Sequence, residues 1–283
     1  MATVPDGIGP GSSHSLLNKR AREPRCTTGA ADQRFEFPLR SIDSSNESTD
    51  DLQKVIRAWN AEYAGGRYNY EPPIAFVNDI LEAARTLQLI GARGLYVGCG
   101  NGRNFVPLLA GGLDLVGIDV SEVAIEQLAA RLPDRRDRLI IGSLDSLPTR
   151  SAYPIVIGIQ IFQHGDERRA QKLIFDAQTQ LQPGGLFCIR VNADSTDLEF
   201  DHEIIERSPK GGYTVRYLAG PKAGLDIHFF ARDELIDLFQ GYEALLPLRL
   251  STTWRKPARC GQWSQWEAIW RKPHPAGIDT HMG

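Results

Sequence analysis

Acidic and imidazole side chains follow three apolar segments of the chain, where they could bind a ligand or move a proton. Asp119 ends the run LVGIDVS, Asp145 follows IIGSL, and His164 ends the run IVIGIQIFQH. Because a carboxylate only accepts hydrogen bonds, Asp119 could take both hydroxyls of a ribose, and Asp145 could accept from an exocyclic amine of adenine. His164, whose ordinary pKa lies near neutrality, is the candidate general base.

Each of these residues also has a structural interpretation. Asp119 could cap a helix that begins near Ser121, and His164 could cap or steady the helix whose first turn carries Asp166 and Glu167. Loop aspartates such as Asp145 are common. A binding role requires that the three side chains meet at one edge of a sheet, so the position of each residue matters more than its type.

A glycine triplet, Gly98, Gly100 and Gly102, follows the apolar run LYV and precedes a helical segment. Bare backbone N–H groups at the start of a helix allow a ligand to approach closely, which offsets the entropy cost of glycine. The GxGxG spacing differs from the GxGxxG of dinucleotide-binding proteins. Because a tight strand-to-helix turn would tolerate the same glycines, the triplet indicates a binding loop only together with Asp119.

Alternating strands and helices must position these residues. Strands are predicted at 94–97, 115–118, 139–141, 155–161 and 186–191, and helices at 103–110, 122–132 and 166–181. Strands that are apolar on both faces and separated by helices indicate a parallel sheet with helices on both sides. The predicted fold class is therefore α/β, open and doubly wound, with ligands at the carboxyl edge of the strands.

Further elements flank this unit. Two amphipathic helices are predicted from residue 50 and over 74–90, with an aromatic run between them. After the parallel strands, the pattern predicts a hairpin at 213–218 and 225–230, a helix at 232–240 and two last strands near 243–250 and 263–271. Residues 1–49 are predicted to be disordered, since they show no sustained apolar period.

Composition and charge narrow the class of partner. The chain has 283 residues, 42% of them hydrophobic, and a formal net charge of -3 without a long basic block, which argues against nucleic acid or an anionic membrane as partner. Since no apolar run approaches a membrane helix or a secretory segment, we expect a cytoplasmic protein. The four cysteines lack CxxC spacing, so no metal site is expected, and no obligate protein partner is evident.

The motifs VGCGNGRN, GIDVS, GSLDSLP, IVIGIQIFQH and LQPGGLF together resemble the class I S-adenosylmethionine-dependent methyltransferases, over about residues 50–272. The chain is most similar to the small-molecule branch that includes the tellurite-resistance and thiopurine-type enzymes. The resemblance implies a Rossmann-like sheet of seven strands with the last strand antiparallel, an N-terminal helical lid and an inserted β-hairpin. Residues 273–283, beyond the resemblance, are expected to form a flexible tail. It also implies S-adenosylmethionine as cofactor and a small-molecule acceptor with an O, N, S or chalcogen nucleophile.

The resemblance further implies where the cofactor and the acceptor bind: the methionyl group on the glycine loop, the ribose at Asp119 and the adenine near residues 143–145. The expected cofactor-binding residues are Gly98, Cys99, Gly100, Asn101, Gly102, Asn104, Asp119, Val120, Ser143, Leu144, Asp145, Gln160 and Tyr68. The expected substrate-binding residues are Tyr70, Gln163, His164 and His228, with His164 as the catalytic residue. Tyr68 could instead simply pack, and His228 could be a core histidine.

One position departs from the family pattern. The family usually carries an acidic residue two positions before the first glycine, where this chain has Tyr96. Because that acid normally helps to hold the methionyl ammonium, backbone carbonyls near Gly98 and Gln160 would have to substitute. Tyr96 also supports the alternative of a non-catalytic cofactor-binding protein. A nicotinamide-dependent oxidoreductase is a third hypothesis, but it predicts GxGxxG and a catalytic Tyr/Lys pair, and neither is evident.

Overall fold

The computed structural model describes residues 49–148, 152–255 and 260–274. Two predicted segments, the disordered residues 1–49 and the flexible tail 273–283, lie outside these ranges except for residues 49, 273 and 274. Both stay predictions. The helices and strands are α1 (Thr49–Ala64), α2 (Phe76–Thr86), β1 (Arg93–Val97), α3 (Phe105–Ala110), β2 (Asp114–Asp119), α4 (Glu122–Arg131), β3 (Leu139–Ile141), β4 (Tyr153–Ile159), α5 (Glu167–Thr179), β5 (Leu181–Asn192), β6 (His202–Arg207), β7 (Tyr213–Tyr217), β8 (Asp226–Phe229), α6 (Arg232–Leu238), β9 (Glu243–Trp254) and β10 (Gln262–Arg271).

Seven strands form the main sheet, in the order β3-β2-β1-β4-β5-β10-β9. β1 pairs in parallel with both β2 and β4, while β10 runs antiparallel to its neighbours β5 and β9. The predicted doubly wound sheet with an antiparallel last strand is confirmed. The strand order reverses direction at β1, which makes the gap beside its carboxyl end the switch point where ligands bind in such sheets.

Both faces of the sheet are covered by apolar side chains. Along β1, Tyr96 packs with residues of α2 and α3 on one face, whereas Leu95 and Val97 pack with residues of α5 on the other. Because successive side chains of a strand point to opposite faces, a strand buried on both sides must be apolar throughout, as the sequence pattern predicted. The last strand follows the same rule, with Ala268 and Trp270 buried on the α5 face.

The predicted hairpin belongs to a second, smaller sheet. β7 and β8 pair as expected, but β6 pairs with β7 as well and completes a three-stranded antiparallel sheet. The prediction missed β6 because its segment HEIIER shows no alternation, and Ile204 and Ile205 are both exposed. Two isolated bridges join β8 to the main unit, one between His164 and Ile227 and one between Ala193 and Phe230.

A buried ion pair links β5 to its antiparallel neighbour β10. Arg190 of β5 lies opposite Glu267 of β10, and its Nε donates to Glu267 Oε1 at 2.7 Å, with both residues buried. Arg249 of β9 also donates to Glu267 and continues the network to Asp79 of α2. The Arg190 carbonyl accepts a hydrogen bond from the N–H of Gln160, so this network also supports the end of β4.

We expect Glu267→Gln to lower the free energy of unfolding by about 3 kcal/mol or more, because it leaves the buried Arg190 guanidinium without its counter-charge. Urea denaturation followed by circular dichroism measures the change. Asp176→Asn is the matched control, since it breaks the exposed pair with Lys172 and should cost no more than about 1 kcal/mol. Equal losses in the two variants would contradict a role for burial.

Candidate active site

Four loops meet at the carboxyl edge of the parallel strands. Residues 98–102 follow β1, Asp119 ends β2, residues 143–145 follow β3 and residues 160–164 follow β4. Parallel strands end at the same edge, so the topology brings these sequence-predicted segments together. It does so regardless of which side chains they carry.

The glycine loop allows side chains from other elements to approach its backbone. Gly100 has a φ of 53°, in the left-handed region, and a Cβ there would overlap the hydroxyl of Tyr63. At Gly98, with a φ of 69°, a Cβ would overlap Ile161, which follows β4. Packing of Tyr63 and Ile161 against the turn therefore requires glycine at positions 100 and 98, whether or not a ligand also binds there.

Asp119 turns its carboxylate toward the glycine loop. Its Oδ2 accepts from the N–H of Gly100 at 2.8 Å and its Oδ1 from the N–H of Ser121 at 2.9 Å, and the backbone of Val120 supplies a third bond. Burial raises the pKa of this carboxyl above its usual value, although the three N–H groups act against that shift. Because a carboxylate offers about four acceptor positions, it retains capacity for about one further donor.

The alternative that Asp119 caps the next helix is wrong. The N-cap of α4 is Ser121, whose Oγ accepts from the N–H of Ala124 at 3.1 Å. Asp119 instead fixes the backbone of that cap residue. Ser121 Oγ also donates to Asn60 Oδ1 of α1 at 2.7 Å, which holds α1 over this part of the edge.

Tyr63 of α1 covers the glycine loop. It is not among the site residues that were predicted from the sequence. It is 7% exposed, and burial, with the negative charge of Asp119, raises the pKa of its phenol well above the usual value. Its ring lies 5.9 Å from that of Trp59, one helical turn earlier. The four-residue spacing of these aromatics on the apolar face of a predicted helix was the signal that could have found it.

Buried amides tie the glycine loop to the segment between α1 and α2. Asn101 Nδ2 donates to the carbonyl of Arg67 at 3.0 Å and to Asn69 Oδ1 at 2.9 Å. Asn104 Oδ1 accepts from the N–H of Ile74 at 3.1 Å. Both asparagines therefore act first as structural links, whatever they contribute to a ligand.

The two tyrosines expected in the lid differ in their placement. Tyr68 has a φ of 63° and lies between the guanidinium groups of Arg67 and Arg103, at 5.0 and 5.5 Å from its ring centroid. The side chain of Tyr70 is 99% exposed, so the structure does not bring it over the loop. A cavity of about 490 Å³ is lined by residues 66–71 and by Trp263 of β10.

Tyr96 supplies packing at the position where the family carries a charge. The residue is 2% exposed, and its ring meets Phe105 edge-on at 5.9 Å. A hydrogen bond links it to Asn104, and burial raises the pKa of its phenol. The side chain therefore stays neutral and lies in the core beneath the glycine loop.

His164 lies buried at the end of the β4 loop. Its ring meets Trp59 of α1 edge-on at 5.4 Å and hydrogen bonds with the backbone of Gln160. Burial, with the positive charge of Lys222, lowers the pKa of the imidazole to about 3, so the ring is neutral at pH 7. The helix cap is Asp166, not His164, since Asp166 accepts from the N–H of Arg169 at 2.8 Å.

Strain and unmet hydrogen bonds accompany the β4 loop. Gln160 has a φ of 60°, an unfavourable value for a residue with a side chain, and such strain clusters at functional sites. Gln163 is 1% exposed and donates to the carbonyl of Gln160, while its Oε1 has no hydrogen-bond partner among the described residues.

The remaining predicted residues divide by burial. Asp145 is exposed and Ser143 half-buried, with Leu144 turned inward, while Val120 is half-buried and Cys99 is buried against Gly117 of β2. These side chains follow the strands in the expected order along the edge. Cys99 behaves as a small packing group, since burial raises the pKa of its thiol well above the usual value.

The N–H of His228 donates to the carbonyl of Gln163 in the β4 loop, but its side chain does not project into the site. It is fully buried in the small sheet, where its Nδ1 lies 3.0 Å from Thr214 Oγ1 and its Nε2 3.4 Å from Glu234 Oε2. Because both ring nitrogens have protein partners, this arrangement favours the alternative of a core histidine over a substrate-binding residue.

The described residues contain no helix that is long and apolar enough to cross a membrane. They also contain no group of three or more His, Cys, Asp or Glu side chains that could hold a metal ion. Within the same ranges, Cys99, Cys188 and Cys260 are free thiols.

The sequence matches a known family over its central part. Residues 95–185, from the first strand to the start of β5, match the family described as "Methyltransferase domain". No curated protein sequence matches the chain.

Solved structures with a similar fold include three methyltransferase-type proteins at low sequence identity. The 1,6-didemethyltoxoflavin-N1-methyltransferase of Burkholderia thailandensis, solved with 1,6-didemethyltoxoflavin and S-adenosylhomocysteine, has a TM-score of 0.56 and 16% identity over 80% of this chain and 90% of its own. The magnesium protoporphyrin IX methyltransferase of Synechocystis PCC 6803, solved with bound SAM, has a TM-score of 0.53 and 14% identity over 81% of this chain and 100% of its own. TehB of Haemophilus influenzae has a TM-score of 0.51 and 19% identity over 75% of this chain and 67% of its own.

At these identities the structural likeness shows the fold, and the segment that matches the family, residues 95–185, includes the glycine loop and the β4 loop. Both agree with the resemblance that the sequence motifs indicated. Residues 95–185 therefore match a methyltransferase domain family, within a chain that has the fold of these solved structures.

Proposed function

We propose that the protein transfers a methyl group from S-adenosylmethionine to a small-molecule acceptor at the carboxyl edge of β1, β2 and β4. The observation that carries the proposal is the hydrogen bond from the N–H of Gly100 to Asp119 Oδ2, which joins the ends of two neighbouring strands. It gives one site both a bare backbone and a carboxylate, the two features that a nucleoside-bearing donor requires.

The residues at this edge fit the cofactor. Asp119 retains capacity for a ribose hydroxyl, and the half-buried Ser143 and exposed Asp145 could accept from the adenine amine. Tyr63 lies against Gly100, so we expect it to contact the bound cofactor or to move aside when the cofactor enters. When bound, S-adenosylmethionine supplies an electrophilic methyl group on its sulfonium.

The cofactor's ammonium needs a partner other than Tyr96. A neutral phenol packed on Phe105 offers no negative charge, so we assign this contact to the backbone carbonyl of Gly98. The carbonyl of Gln160, the other group expected from the sequence, already bonds to Gln163 Nε2 and to the His164 ring, which occupies both of its acceptor positions. Asn104, which bonds to Tyr96, would then stabilise the loop without touching the charge.

A small-molecule acceptor agrees with the charge of the chain, which lacks a long basic block. The cavity of about 490 Å³ that is lined by residues 66–71 and Trp263 has the size of a small-molecule pocket, but neither His164 nor Lys222 lines it. Two of the structural neighbours are named for methyl transfer to a heteroaromatic compound and to a porphyrin. Positioning of the acceptor alone can supply on the order of 7 to 11 kcal/mol toward an in-line displacement.

The acceptor would meet His164 as a neutral imidazole. Because burial lowers its pKa to about 3, the ring accepts a hydrogen bond readily but holds a full proton poorly. This arrangement favours a nucleophile that reacts without prior deprotonation, such as a thiolate, a chalcogenide or a neutral amine, over a hydroxyl group. His164 would then orient the acceptor and does not act as a strong base.

One rival hypothesis loses support, and turnover distinguishes the other. A nicotinamide oxidoreductase requires a GxGxxG loop, whereas the loop here is GxGxG in a segment that matches a methyltransferase family. A non-catalytic cofactor-binding protein would bind the same cofactor, but it would release no S-adenosylhomocysteine from any acceptor.

We expect Asp119→Ala to weaken the binding of S-adenosylhomocysteine at least about ten-fold, because a charge-assisted hydrogen bond to the ribose is lost. Isothermal titration calorimetry measures the dissociation constants of wild type and variant, with NADH as the ligand that the rival enzyme class predicts.

Asp114→Ala is the matched control for this measurement. Asp114 begins the same strand at its opposite end and pairs with Arg93 and Arg135 on the surface, so its loss should leave binding within about two-fold. An unchanged dissociation constant in a folded Asp119→Ala variant contradicts the ribose role. Absence of binding to wild type contradicts the proposed function itself.

We expect His164→Gln to lower the rate of S-adenosylhomocysteine release by less than about ten-fold and to leave the shape of the pH profile between pH 5 and 8 unchanged. The reason is that His164 is already neutral across this range. A screen of thiol, amine and phenol acceptors supplies the substrate. A loss of about 10² to 10⁴-fold together with a vanished pH dependence would instead identify His164 as a general base.

A further inference from the structure

The acceptor side of the site contains a lysine that none of the sequence motifs includes. Lys222 lies in the turn 218–225, which joins β7 to β8. Hydrogen bonds fix this turn, since the N–H of Gly224 donates to the carbonyl of Tyr217 at 2.7 Å and the N–H of Leu225 to that of Lys222 at 3.0 Å. The ammonium group is therefore presented by a defined turn.

Lys222 meets α1 and the β4 loop at one point. Its Nζ lies 5.7 Å from the centroid of the Trp59 ring, and the same ring meets that of His164 edge-on at 5.4 Å. The positive charge of Lys222 acts on the imidazole and lowers its pKa. The small sheet thus delivers a cation to the place where we put the acceptor.

The charge of Lys222 is not balanced by a neighbouring carboxylate. In the described ranges of the chain, no acidic side chain forms an ion pair with its Nζ. The acid that influences it, Glu62, is already bound to Arg67 at 2.9 Å. Arg67 adds a second positive charge nearby, and its Nε is buried without a hydrogen-bond partner among the described residues.

Because Lys222 is half-buried, its unpaired positive charge is unfavourable. Burial, with the charge of Arg67, lowers the pKa of Lys222 to about 8, so the group still carries its proton at pH 7. A cation that is partly removed from water and not paired is stabilised when an anion binds beside it. The contact with Trp59 compensates only in part, since a ring face is a weaker partner than a carboxylate.

We propose that the methyl acceptor carries an anionic oxygen group, a carboxylate or a phosphate, which Lys222 binds beside Trp59 and His164. This inference rests on the proposed function, because it names the class of compound that the methyltransferase site accepts. The aromatic rings of Trp59 and Tyr68 near these cations favour a planar, aromatic body for the same compound.

The test measures binding of matched probes to the protein saturated with S-adenosylhomocysteine, by ligand-detected NMR titration. The probes are benzoate, phenyl phosphate and benzamide, the last being the neutral isostere of benzoate. We expect at least one anion to bind ten-fold or more tightly than benzamide. The better of the two anions distinguishes a carboxylate from a phosphate acceptor.

Lys222→Gln should abolish the preference for the anion, whereas Lys222→Arg, which keeps the charge, should retain most of it. Lys210→Gln is the matched control, because Lys210 lies at the opposite end of β7 and pairs with Asp237 on the surface. The control should bind all three probes as the wild type does.

Three results would overturn the proposal: equal binding of benzamide and the anions, no detectable binding of either anion, or an anion preference that survives in Lys222→Gln. If Lys222 only held the turn against Trp59, its replacement would lower the melting temperature and weaken the binding of all three probes equally. Failure of the proposed function has a different signature, since wild type would then not bind S-adenosylhomocysteine at all.

Discussion

The hydrogen bond between the Gly100 N–H and the Asp119 carboxylate is the contact on which the site depends. It joins the end of β1 to the end of β2 at 2.8 Å, and it exists because these strands are parallel neighbours in register from Arg93 and Asp114 onward. A carboxylate with three backbone donors is fixed in direction before any ligand arrives. The glycine at position 100 is required for this contact, since a side chain there would collide with Tyr63.

The main sheet could be predicted from sequence because its strands are short apolar runs between helices. β1, β2 and β3 begin and end within one residue of the predicted positions, since burial on both faces leaves no ambiguity of pattern. β5 begins at Leu181, five residues earlier than predicted, because the segment QPGG carries turn residues yet joins the strand through an irregular register beside Tyr153. β6 was missed for a related reason, since its exposed isoleucines follow no period.

The placement of the candidate residues at one edge of the sheet could be predicted, but the partners of their side chains could not. Topology alone brings Asp119 and His164 to one edge. The environment of each depends on contacts made across long stretches of sequence: Tyr63 over the glycine loop, Trp59 and Lys222 around the imidazole, and Thr214 and Glu234 around His228. Tertiary packing sets these contacts, and local sequence patterns carry no information on them.

The small sheet and the main sheet carry different parts of the proposed site. The turn that contacts the proposed donor is part of the seven-stranded core, whereas Lys222 belongs to strands that join that core through bridges at Ile227 and Phe230. A change of sequence in the β7–β8 turn would therefore act on the proposed acceptor contact at Lys222 and leave the hydrogen bonds of the glycine loop in the core unchanged.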